Sequence, residues 1–345
     1  MGEKYKPENN IVDIAKALGI SAATVSRALN DHPRISELTK ERVKLKAEEM
    51  NYRPNRMASS LRSKKSNVVG LIVPRVSMYF HSVFITALQN RLQHAGYNII
   101  ICQSNDSVSV EEALADTLYS SQVDALVVSL SLSTESYSHF DGFIERGIPI
   151  FFYDRVPASA YPAYVFKGDD FNGGYLAGTH LIEMGCKKLA YISGPLTLDL
   201  YIDRMKGFQA ALHEHGIDLP TEWVFHQELN AVNALNALEE LFSNEKVPDA
   251  IFAGNDTTAI EVIKFARENS IIIPEKLKVI GYSNDPRASI ITPGITSIEQ
   301  YPKQMAEEMA TRIIGLLDKS ETAPVKQKPT VIPVSLVKRT STSNN

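Results

Sequence analysis

The chain has 345 residues, 44% hydrophobic and 22% charged, which is typical of globular domains and excludes disordered or fibrous classes. No stretch approaches the roughly 20 apolar residues of a membrane span, and the first ten residues lack the apolar core of a signal peptide. The net charge is −4, yet residues 1–65 carry 14 Lys and Arg against 8 Asp and Glu. We therefore expect a cytoplasmic protein with no membrane partner, in which a basic head that reads nucleic acid precedes an acidic body.

The head, residues 1–53, predicts three short helices. Asn10 can cap the first, and Gly19 can take the positive φ that ends it. Ser21 can cap a second helix over residues 22–29, and Thr39 a third. Two short helices joined by a three-residue turn form a helix-turn-helix, with a generic helical bundle as the alternative. The apolar positions predicted to form the core are Ile11, Ile14, Ala15, Leu18, Val25, Ala28, Leu29, Val43, Ala47 and Met50.

Four stretches carry a family resemblance. "DIAKALGISAATVSRALN", "RISELTKERV", "NYRPN" and "MASSLRSKKSNVVGLIVP" resemble, in order and spacing, the DNA-binding domain and hinge of the lactose-repressor/galactose-repressor family of bacterial transcription regulators. The resemblance implies that the second helix enters the major groove of double-stranded DNA by its N-terminal end. We take Ala22, Ala23, Ser26 and Arg27 as its exposed positions.

The family pattern implies that Ala22, Ala23 and Arg27 touch base edges. Arg27 can offer two donors to O6 and N7 of guanine, whereas the alanines can only contact thymine methyl groups. We therefore expect specificity to depend on Arg27 and on DNA shape. The positions that look like phosphate contacts, which fix register without reading sequence, are Thr24, Ser26, Asn30, Arg34, Ser36, Thr39 and Tyr52.

Residues 54–66 form a predicted hinge and linker. Asn55 can cap "RMASSLR", which is too short to be a stable helix alone. The resemblance implies that this segment folds on operator DNA and that two copies from a dimer enter the minor groove together. Leu61 would then be the wedge that kinks the duplex, and Ala58 would keep the paired helices close. An ordinary linker leucine is the alternative for Leu61.

From Val68 onwards, short apolar runs such as "VVGLIVP", "YNIIICQS", "IPIFFYD" and "DAIFAGND" alternate with amphipathic stretches. Strands that alternate with helices predict parallel sheets covered on both faces, here in two doubly wound subdomains. The fold class is thus α/β, with an all-α helix-turn-helix head. The chain has neither a GxGxxG after the first strand nor a Walker-type loop, so we expect no nucleotide cofactor. Cys102 and Cys186 lie in apolar runs and predict reduced thiols.

The body also resembles the family's periplasmic-binding-protein-like core, through "YDRV", "DDFNGGYLAGTHLIEMG", "AYISGP", "RMKGF", "PDAIFAGND" and "ITSIEQ". That fold implies three crossings between the subdomains and a ligand cleft at the carboxyl ends of the strands. We assign residues 67–165 and 297–325 to the first subdomain and residues 166–296 and 326–340 to the second. Residues 341–345 are predicted to be a disordered tail.

The resemblance also implies effector-binding residues. Arg204 matches the family's effector-binding arginine, with a surface helix arginine as the alternative. His81 is equally well explained as a structural histidine, and Asp256 as a helix cap rather than a ligand contact. The full set expected at the cleft is Phe80, His81, Phe171, Asn172, Arg204, Asn255 and Ser283.

The chain departs from the family pattern at ligand-facing positions. Ser283 stands where an Asp commonly follows "GY", Tyr79 where Pro is frequent, and Leu200 and Tyr201 where a small polar residue is usual. Fewer carboxylates beside a retained Arg204 favour an acidic or phosphorylated sugar among the family's sugar effectors. These departures do not change the predicted fold, but they leave the identity of the effector undetermined.

These observations predict a DNA-binding transcription regulator, a repressor, whose operator affinity changes when a small-molecule effector binds. The effector would be a sugar, sugar acid or sugar phosphate, and a homodimer would bind a near-palindromic operator. No apolar heptads follow residue 340, so we expect no tetramerising tail. The alternatives are a ligand sensor of the periplasmic-binding type without operator control, and an enzyme. The eight scattered histidines and the lack of a paired acid–base motif argue against catalysis.

Overall fold

The computed structural model describes residues 9–52, 65–243, 245–319 and 328–343. The chain divides into two compact units, residues 1–66 and 67–345. None of the helices in the described ranges is both long enough and apolar enough to cross a membrane.

The described part of the head consists of three helices: α1 (Ile11–Leu18), α2 (Ala22–Leu29) and α3 (Glu37–Glu49). The side chain of Asn10 caps α1, and Gly19, with a φ of 64°, ends it. The hydroxyl of Ser21 caps α2. The predicted cap at Thr39 is wrong, because the hydroxyl of Ser36 already accepts the amide of Thr39 and α3 begins before it.

The helices of the head enclose one small apolar core. Its buried members share the spacing of three and four residues that places side chains on one helix face. They are Ile14, Ala15, Val25, Ala28, Val43 and Ala47. Leu18, Leu29 and Met50 pack against the edge of this core and stay partly exposed.

The first subdomain of the body is built on a parallel sheet. In the described residues its strands are β1 (Val68–Val73), β2 (Asn98–Gln103), β3 (Ala125–Val128), β4 (Ile150–Tyr153), β5 (Tyr164–Gly168) and β11 (Thr330–Ile332). Their order is β11-β5-β4-β3-β1-β2. The helices are α4 (Tyr79–His94), α5 (Val108–Ser120), α6 (Asp141–Glu145) and α12 (Pro302–Leu317). Helices α4 and α12 share one core cluster, and α5 and α6 share another.

The second subdomain repeats this arrangement. Its described strands are β6 (Leu189–Ser193), β7 (Val224–His226), β8 (Ala250–Ala253), β9 (Lys278–Tyr282), β10 (Thr296–Glu299) and β12 (Ser335–Val337), in the order β12-β10-β9-β8-β6-β7. Strand β12 is antiparallel to β10, which the sequence did not predict. The helices are α7 (Asp170–Glu183), α8 (Asp199–Glu214), α9 (Ala231–Phe242), α10 (Asp256–Glu268) and α11 (Pro286–Ile290).

Helices α7 and α8 pack unusually closely because glycines line their contact. A Cβ built on Gly207 of α8 would lie 1.8 Å from the carbonyl oxygen of Phe171 in α7. Any side chain there would force the helices apart. The close approach holds the first turn of α7 against the helix that carries Arg204.

The predicted subdomain boundaries are wrong by several residues. Strand β5 belongs to the first sheet, so the chain crosses after Gly168 and not at residue 165. Strand β10 completes the second sheet before the next crossing. Strand β11 returns to the first sheet, so the last crossing lies between Ile332 and Ser335. In each case a strand pairs with its own sheet before the chain leaves it.

The predicted disordered tail is also wrong at its start. Ser341 and Thr342 are buried. The Ser341 hydroxyl donates to the carbonyl oxygen of Val279 at 2.5 Å and accepts from the amide of Thr296 at 2.9 Å. Thr342 is hydrogen-bonded to His180 at 2.9 Å. The chain therefore stays part of the second subdomain until at least Thr342.

Candidate functional site

The exposed face of α2 carries two of the residues predicted to read base edges. Ala23 and Arg27 are exposed. Ala22 is half-buried because its methyl group packs against the head core, so its predicted exposure is wrong. Ser26 is half-buried as well. Arg27 is thus the residue that exposes several hydrogen-bond donors on this face. The first turn of α2 contains no acidic residue.

Most of the predicted phosphate contacts have their polar atoms engaged inside the head. The hydroxyls of Ser36 and Thr39 lie 2.8 Å apart at the start of α3. The side-chain amide of Asn30 donates to the carbonyl oxygen of Ser26 at 2.8 Å. Tyr52 packs partly against the head core. These groups hold the helix termini in place, while the exposed Arg34 is free to reach outward.

The same pattern holds at the start of α2, where the Thr24 hydroxyl lies 2.9 Å from that of Ser21. The backbone amides of a capped helix N-terminus can bind an anion without further side chains. The predicted hinge residues Asn55, Ala58 and Leu61 lie outside the described residues, and their roles stay predictions.

The predicted effector residues follow the carboxyl ends of strands. Phe80 and His81 lie in the first turn of α4, after β1, and Phe171 and Asn172 in the first turn of α7, after β5. Asn255 lies two residues after the end of β8, and Ser283 directly follows the end of β9. Arg204 projects from α8 to the carbonyl oxygen of Gly254 at the end of β8. They therefore lie along the edges of the sheets where α/β folds bind ligands.

His81 is a buried structural histidine with one nitrogen still available. Its Nδ1 lies 3.1 Å from the hydroxyl of Tyr153, and its side chain is 1% exposed. Burial, with a smaller effect of the nearby Arg155, lowers the pKa of His81 to about 3. Its Nε2 has no hydrogen-bond partner among the described residues. Phe80 packs edge-on against this ring, inside the apolar core.

Arg204 is buried and its charge is neutralised. It is 4% exposed, so the alternative of a surface arginine is wrong. Its Nε donates to Oδ1 of Asp170 at 2.8 Å, and its guanidinium lies 3.6 Å from the centre of the Tyr282 ring. The Tyr282 hydroxyl donates to the same Asp170 oxygen at 3.0 Å. Arg204 is held rigidly at the cleft edge of the second subdomain.

A second buried guanidinium is neutralised in the first subdomain. Nη1 of Arg155 donates to Oδ1 of Asp106 and, at 3.4 Å, to the carbonyl oxygen of Leu130. With Arg155 and Arg204 both paired to carboxylates, neither offers an unbalanced positive charge. The argument from Arg204 for an acidic or phosphorylated effector therefore loses its basis.

The cap at the start of α10 is Asn255, not its neighbour Asp256. The Asn255 side chain accepts from the amide of Thr258 at 2.8 Å and donates to the carbonyl oxygen of Leu229 at 3.0 Å. Asp256 instead turns inward, where it accepts from the Ser297 hydroxyl at 2.7 Å and from the Asp285 amide at 2.6 Å. Asn255, which was predicted to reach the cleft, is thus engaged as a helix cap. Asp256, which was predicted as the cap, is buried and hydrogen-bonded inside the second subdomain.

Asp256 gives the body a testable pH dependence. Burial raises its pKa to about 7 in the folded protein. The folded state then binds a proton that the unfolded state releases, so this carboxyl lowers stability as the pH rises from about 4 to about 7. We expect Asp256→Asn to remove a slope of up to about 1.4 kcal/mol per pH unit. Urea unfolding of both proteins across this range measures it.

The titration of His81 changes the stability in the opposite direction. Because it is the same in wild type and in Asp256→Asn, it cancels in the difference between their stabilities. Its lowered pKa means that stability is lost as the pH falls through about 6.5 towards 3, in both proteins alike. The quantity to plot is the difference between wild type and Asp256→Asn at each pH. A difference that stays constant from pH 4 to 7 would contradict a neutral Asp256 in the fold.

The loop after β9 is strained and internally bonded. Ser283 has a φ of 103°, which is rare for a residue with a side chain, and its hydroxyl donates to Gln300 at 2.7 Å. Asn284 donates to Glu299 at 2.8 Å and accepts from Arg339 at 2.5 Å. Ser283 thus lies at the cleft edge with its hydroxyl already engaged.

Two further predicted residues differ in exposure. Phe171 is 46% exposed and Asn172 is half-buried. Their backbone starts α7, where the Asn172 amide donates to the Asp169 side chain at 3.1 Å. Phe171 is therefore free to contact a ligand.

Asp154, which was not among the predicted site residues, lies just after β4 with a φ of 57°. Burial raises its pKa to about 6, while Arg155 of the first subdomain and Arg204 of the second pull the pKa down. The backbone amide of Asp154 donates to the carbonyl oxygen of Phe166 at 3.1 Å, which fixes this residue at the carboxyl end of the first sheet. The signal was an acidic residue directly after the apolar run "IPIFFY".

Both the head and the body of the chain match known protein families. Residues 10–55 match the family model of bacterial regulatory proteins, lacI family. Residues 179–342 match that of a periplasmic binding protein-like domain. The chain is 31% identical over 325 residues to the HTH-type transcriptional repressor PurR of Serratia proteamaculans, covering 92% of this chain and 94% of that one. It is 30% identical to the HTH-type transcriptional regulator DegA of Bacillus subtilis over 97% and 98% of the two chains.

Solved structures show the same fold. The lac repressor dimer bound to operator and the anti-inducer ONPF superposes with a TM-score of 0.85 at 22% identity, over 97% of this chain and 99% of that chain. The transcriptional regulator CelR in complex with cellobiose gives 0.71 at 25% identity, over 96% and 99%. The chain belongs to the LacI family of bacterial regulatory proteins.

Proposed function

We propose that this chain is a transcription repressor that binds a near-palindromic DNA operator as a homodimer and changes its affinity when a small molecule enters the cleft. The observation that carries the proposal is the exposed guanidinium of Arg27 on α2, beside a capped helix start free of acidic residues. Such a group can donate twice to one guanine in the major groove. Two heads related by a two-fold axis would read two inverted half-sites.

Selection from a random DNA library tests this. The full chain is incubated with the library at moderate salt, and bound sequences are recovered over several rounds. We expect an inverted repeat to emerge, with a guanine at an equivalent position in both halves. Recovery of sequences without any repeat would favour the alternative, a ligand sensor without operator control.

For the effector, we propose a sugar or a sugar derivative held between the subdomains. The cellobiose complex of CelR supports a sugar by likeness, and the pairing of Arg204 with Asp170 gives no preference for an acidic one. Thermal unfolding against sugars, sugar acids, sugar phosphates and purines identifies the class, because a ligand at ~100 times its Kd adds about 2.7 kcal/mol of stability. Repeating the operator titration with the hit gives the sign of regulation.

We also propose that Leu61 is the wedge that kinks the operator. An apolar side chain inserted into a base step unstacks it and bends the duplex. Leu61→Ala should reduce DNA bending and specific affinity while effector binding by the body stays unchanged. Circular-permutation gel shifts measure the bend, and calorimetry with the identified effector is the control. An unbent complex of the wild-type protein would contradict the wedge.

Finally, we propose that the chain is not an enzyme and acts in the bacterial cytosol, associated with the nucleoid. The curated relatives described above are transcription regulators, and the buried charges at the cleft edge are engaged in ion pairs. The effector should therefore be recovered chemically unchanged after prolonged incubation with the protein. Conversion of the effector would contradict this.

A further inference from the structure

Tyr201 occupies the edge where the two subdomains meet. It projects from the first turn of α8 in the second subdomain and is 7% exposed. Its ring atoms lie 2.3–2.5 Å from where a Cβ on Gly194 would stand, so the ring rests directly on the backbone after β6. Glycine at this position is what makes room for the phenol.

The surroundings of Tyr201 come from both subdomains. The guanidinium carbon of Arg204, in the second subdomain, lies 5.4 Å from the centre of the Tyr201 ring, and Leu132 of the first subdomain packs against the cluster that contains Tyr201. The phenol therefore lies between the cleft edges of the two sheets.

An apolar cluster extends this contact. Leu198, Leu200 and Tyr201 are buried together, with Leu229 of the same subdomain and Leu132 of the first packed against them. Leu132 lies in the loop after β3, on the other side of the cleft. Apolar side chains that bury each other across two subdomains favour the arrangement in which the subdomains approach. Leu200 and Tyr201 are the positions where the sequence departs from the small polar residues of the family.

Polar contacts join the same edges. The hydroxyl of Thr197 donates to the carbonyl oxygen of Leu132 at 2.9 Å. Nη2 of Arg75 in the first subdomain lies 3.1 Å from Glu228 of the second. Arg75 also contacts Asp106, at 3.4 Å, which is the partner of the buried Arg155. An ion-pair chain thus runs from the first subdomain across the mouth of the cleft.

We propose that Tyr201, with Leu198 and Leu200, is a built-in strap that fills the cleft and holds the body closed when no ligand is present. In a two-domain binding protein, closure is stabilised by whatever touches both halves. Here the chain itself supplies those contacts. This regulation rests on the proposed function, because the cleft it closes is the effector site.

The strap changes what an effector has to do. A ligand that enters must displace the Tyr201 ring and replace its contacts, so only the difference between the two sets of contacts shifts the equilibrium. Removing the ring should therefore open the ligand-free body. It should also remove the competition between the Tyr201 ring and a ligand for the cleft.

Distance measurement by double electron–electron resonance tests closure directly. Spin labels are attached at Glu112→Cys on α5 and Glu239→Cys on α9, two exposed helix positions in different subdomains. Cys102→Ser removes the half-buried thiol, and burial raises the pKa of Cys186 to about 11, which protects it from labelling. The full chain is used without ligand, as the parent and with Tyr201→Ala.

The labelled chain is mixed with an excess of unlabelled chain, so that most homodimers carry labels on one subunit only. For the distance within one chain we expect a single narrow distribution in the parent and a broader one, shifted to longer distances, in Tyr201→Ala. Tyr201→Phe is the matched control, because it keeps the ring and should keep the narrow distribution. Arg75→Gln, which removes the ion pairs of Arg75 with Glu228 and Asp106 and leaves the apolar cluster in place, should broaden the distribution less than Tyr201→Ala. Circular dichroism of each variant shows that it is folded.

Two outcomes would overturn the strap: a parent that already samples long distances without ligand, or a folded Tyr201→Ala with the distribution of the parent. Operator binding is measured on the same samples. A closed parent that binds no DNA would count against the proposed function and leave the strap intact. A parent that is open without ligand and still binds its operator would overturn the strap and leave the proposed function intact.

Discussion

Arg27→Ala is expected to cost about 1–3 kcal/mol of discrimination for one guanine in each operator half-site. Because alanine can neither donate nor accept, Ala23 cannot replace the lost donors. Affinity for random DNA should fall much less, since phosphate contacts supply most of that binding. Competition titrations with the operator and with single-base variants at the guanine position measure the change.

Arg34→Ala is the matched control. Arg34 is exposed, like Arg27, but lies in the turn before α3. We expect it to weaken binding to all sequences alike and to lower the slope of log affinity against log salt by about 1 for each half-site, or about 2 for the dimer. If Arg27→Ala behaves in this way too, then Arg27 contacts phosphate and base reading lies elsewhere.

The head was predictable because its determinants are local. Asn10, Gly19 and Ser21 act on backbone groups within three or four residues of themselves, and the apolar spacing of α1 to α3 needs no information about distant chain. The errors are also local. Ser36 and Thr39 are equally good caps three residues apart, and the structure uses the first.

The body was predictable in class but not in its crossings. An apolar run such as "AYVFKG" or "PTVIPVSLV" indicates a strand, but it does not say which sheet the strand joins. Parallel partners are distant in sequence: β11 pairs with β5 across more than 150 residues. Boundaries drawn from the apolar runs and from the resemblance therefore fell inside β5, inside β10 and ahead of β11.

The strand ends were predictable, but the contacts of the side chains beside them were not. The strand ends that hold Asn255 and Ser283 could be located from the apolar runs before them. The pairing of Arg204 with Asp170, 34 residues earlier, depends on the close packing of α7 on α8. Since no local pattern encodes that contact, the sequence suggested a free cation where the structure has a neutral pair.

That pair leads to the largest stability effect we expect. Asp170→Asn keeps the size of the side chain but removes the charge that balances Arg204, whose side chain is 5% exposed. A buried charge left without its partner typically costs about 3–5 kcal/mol, a large share of the ~5–15 kcal/mol by which folded domains are stable. Urea unfolding followed through Trp223, the single tryptophan and a residue of the second subdomain, measures the loss.

Asp203→Asn provides the control on the same helix as Arg204. Asp203 pairs with Lys167 at 3.0 Å, but both side chains are more than a quarter exposed, so we expect a loss of about 0–1 kcal/mol. The double variant Asp170→Leu with Arg204→Met removes both buried charges and should be more stable than Asp170→Asn. If Asp170→Asn costs no more than Asp203→Asn, the charge of Arg204 does not depend on Asp170 for its balance, and this ion pair no longer argues against an acidic effector. If the large loss is found, effector recognition at Arg204 has to work through the hydrogen-bond donors that Asp170 and Gly254 leave unused.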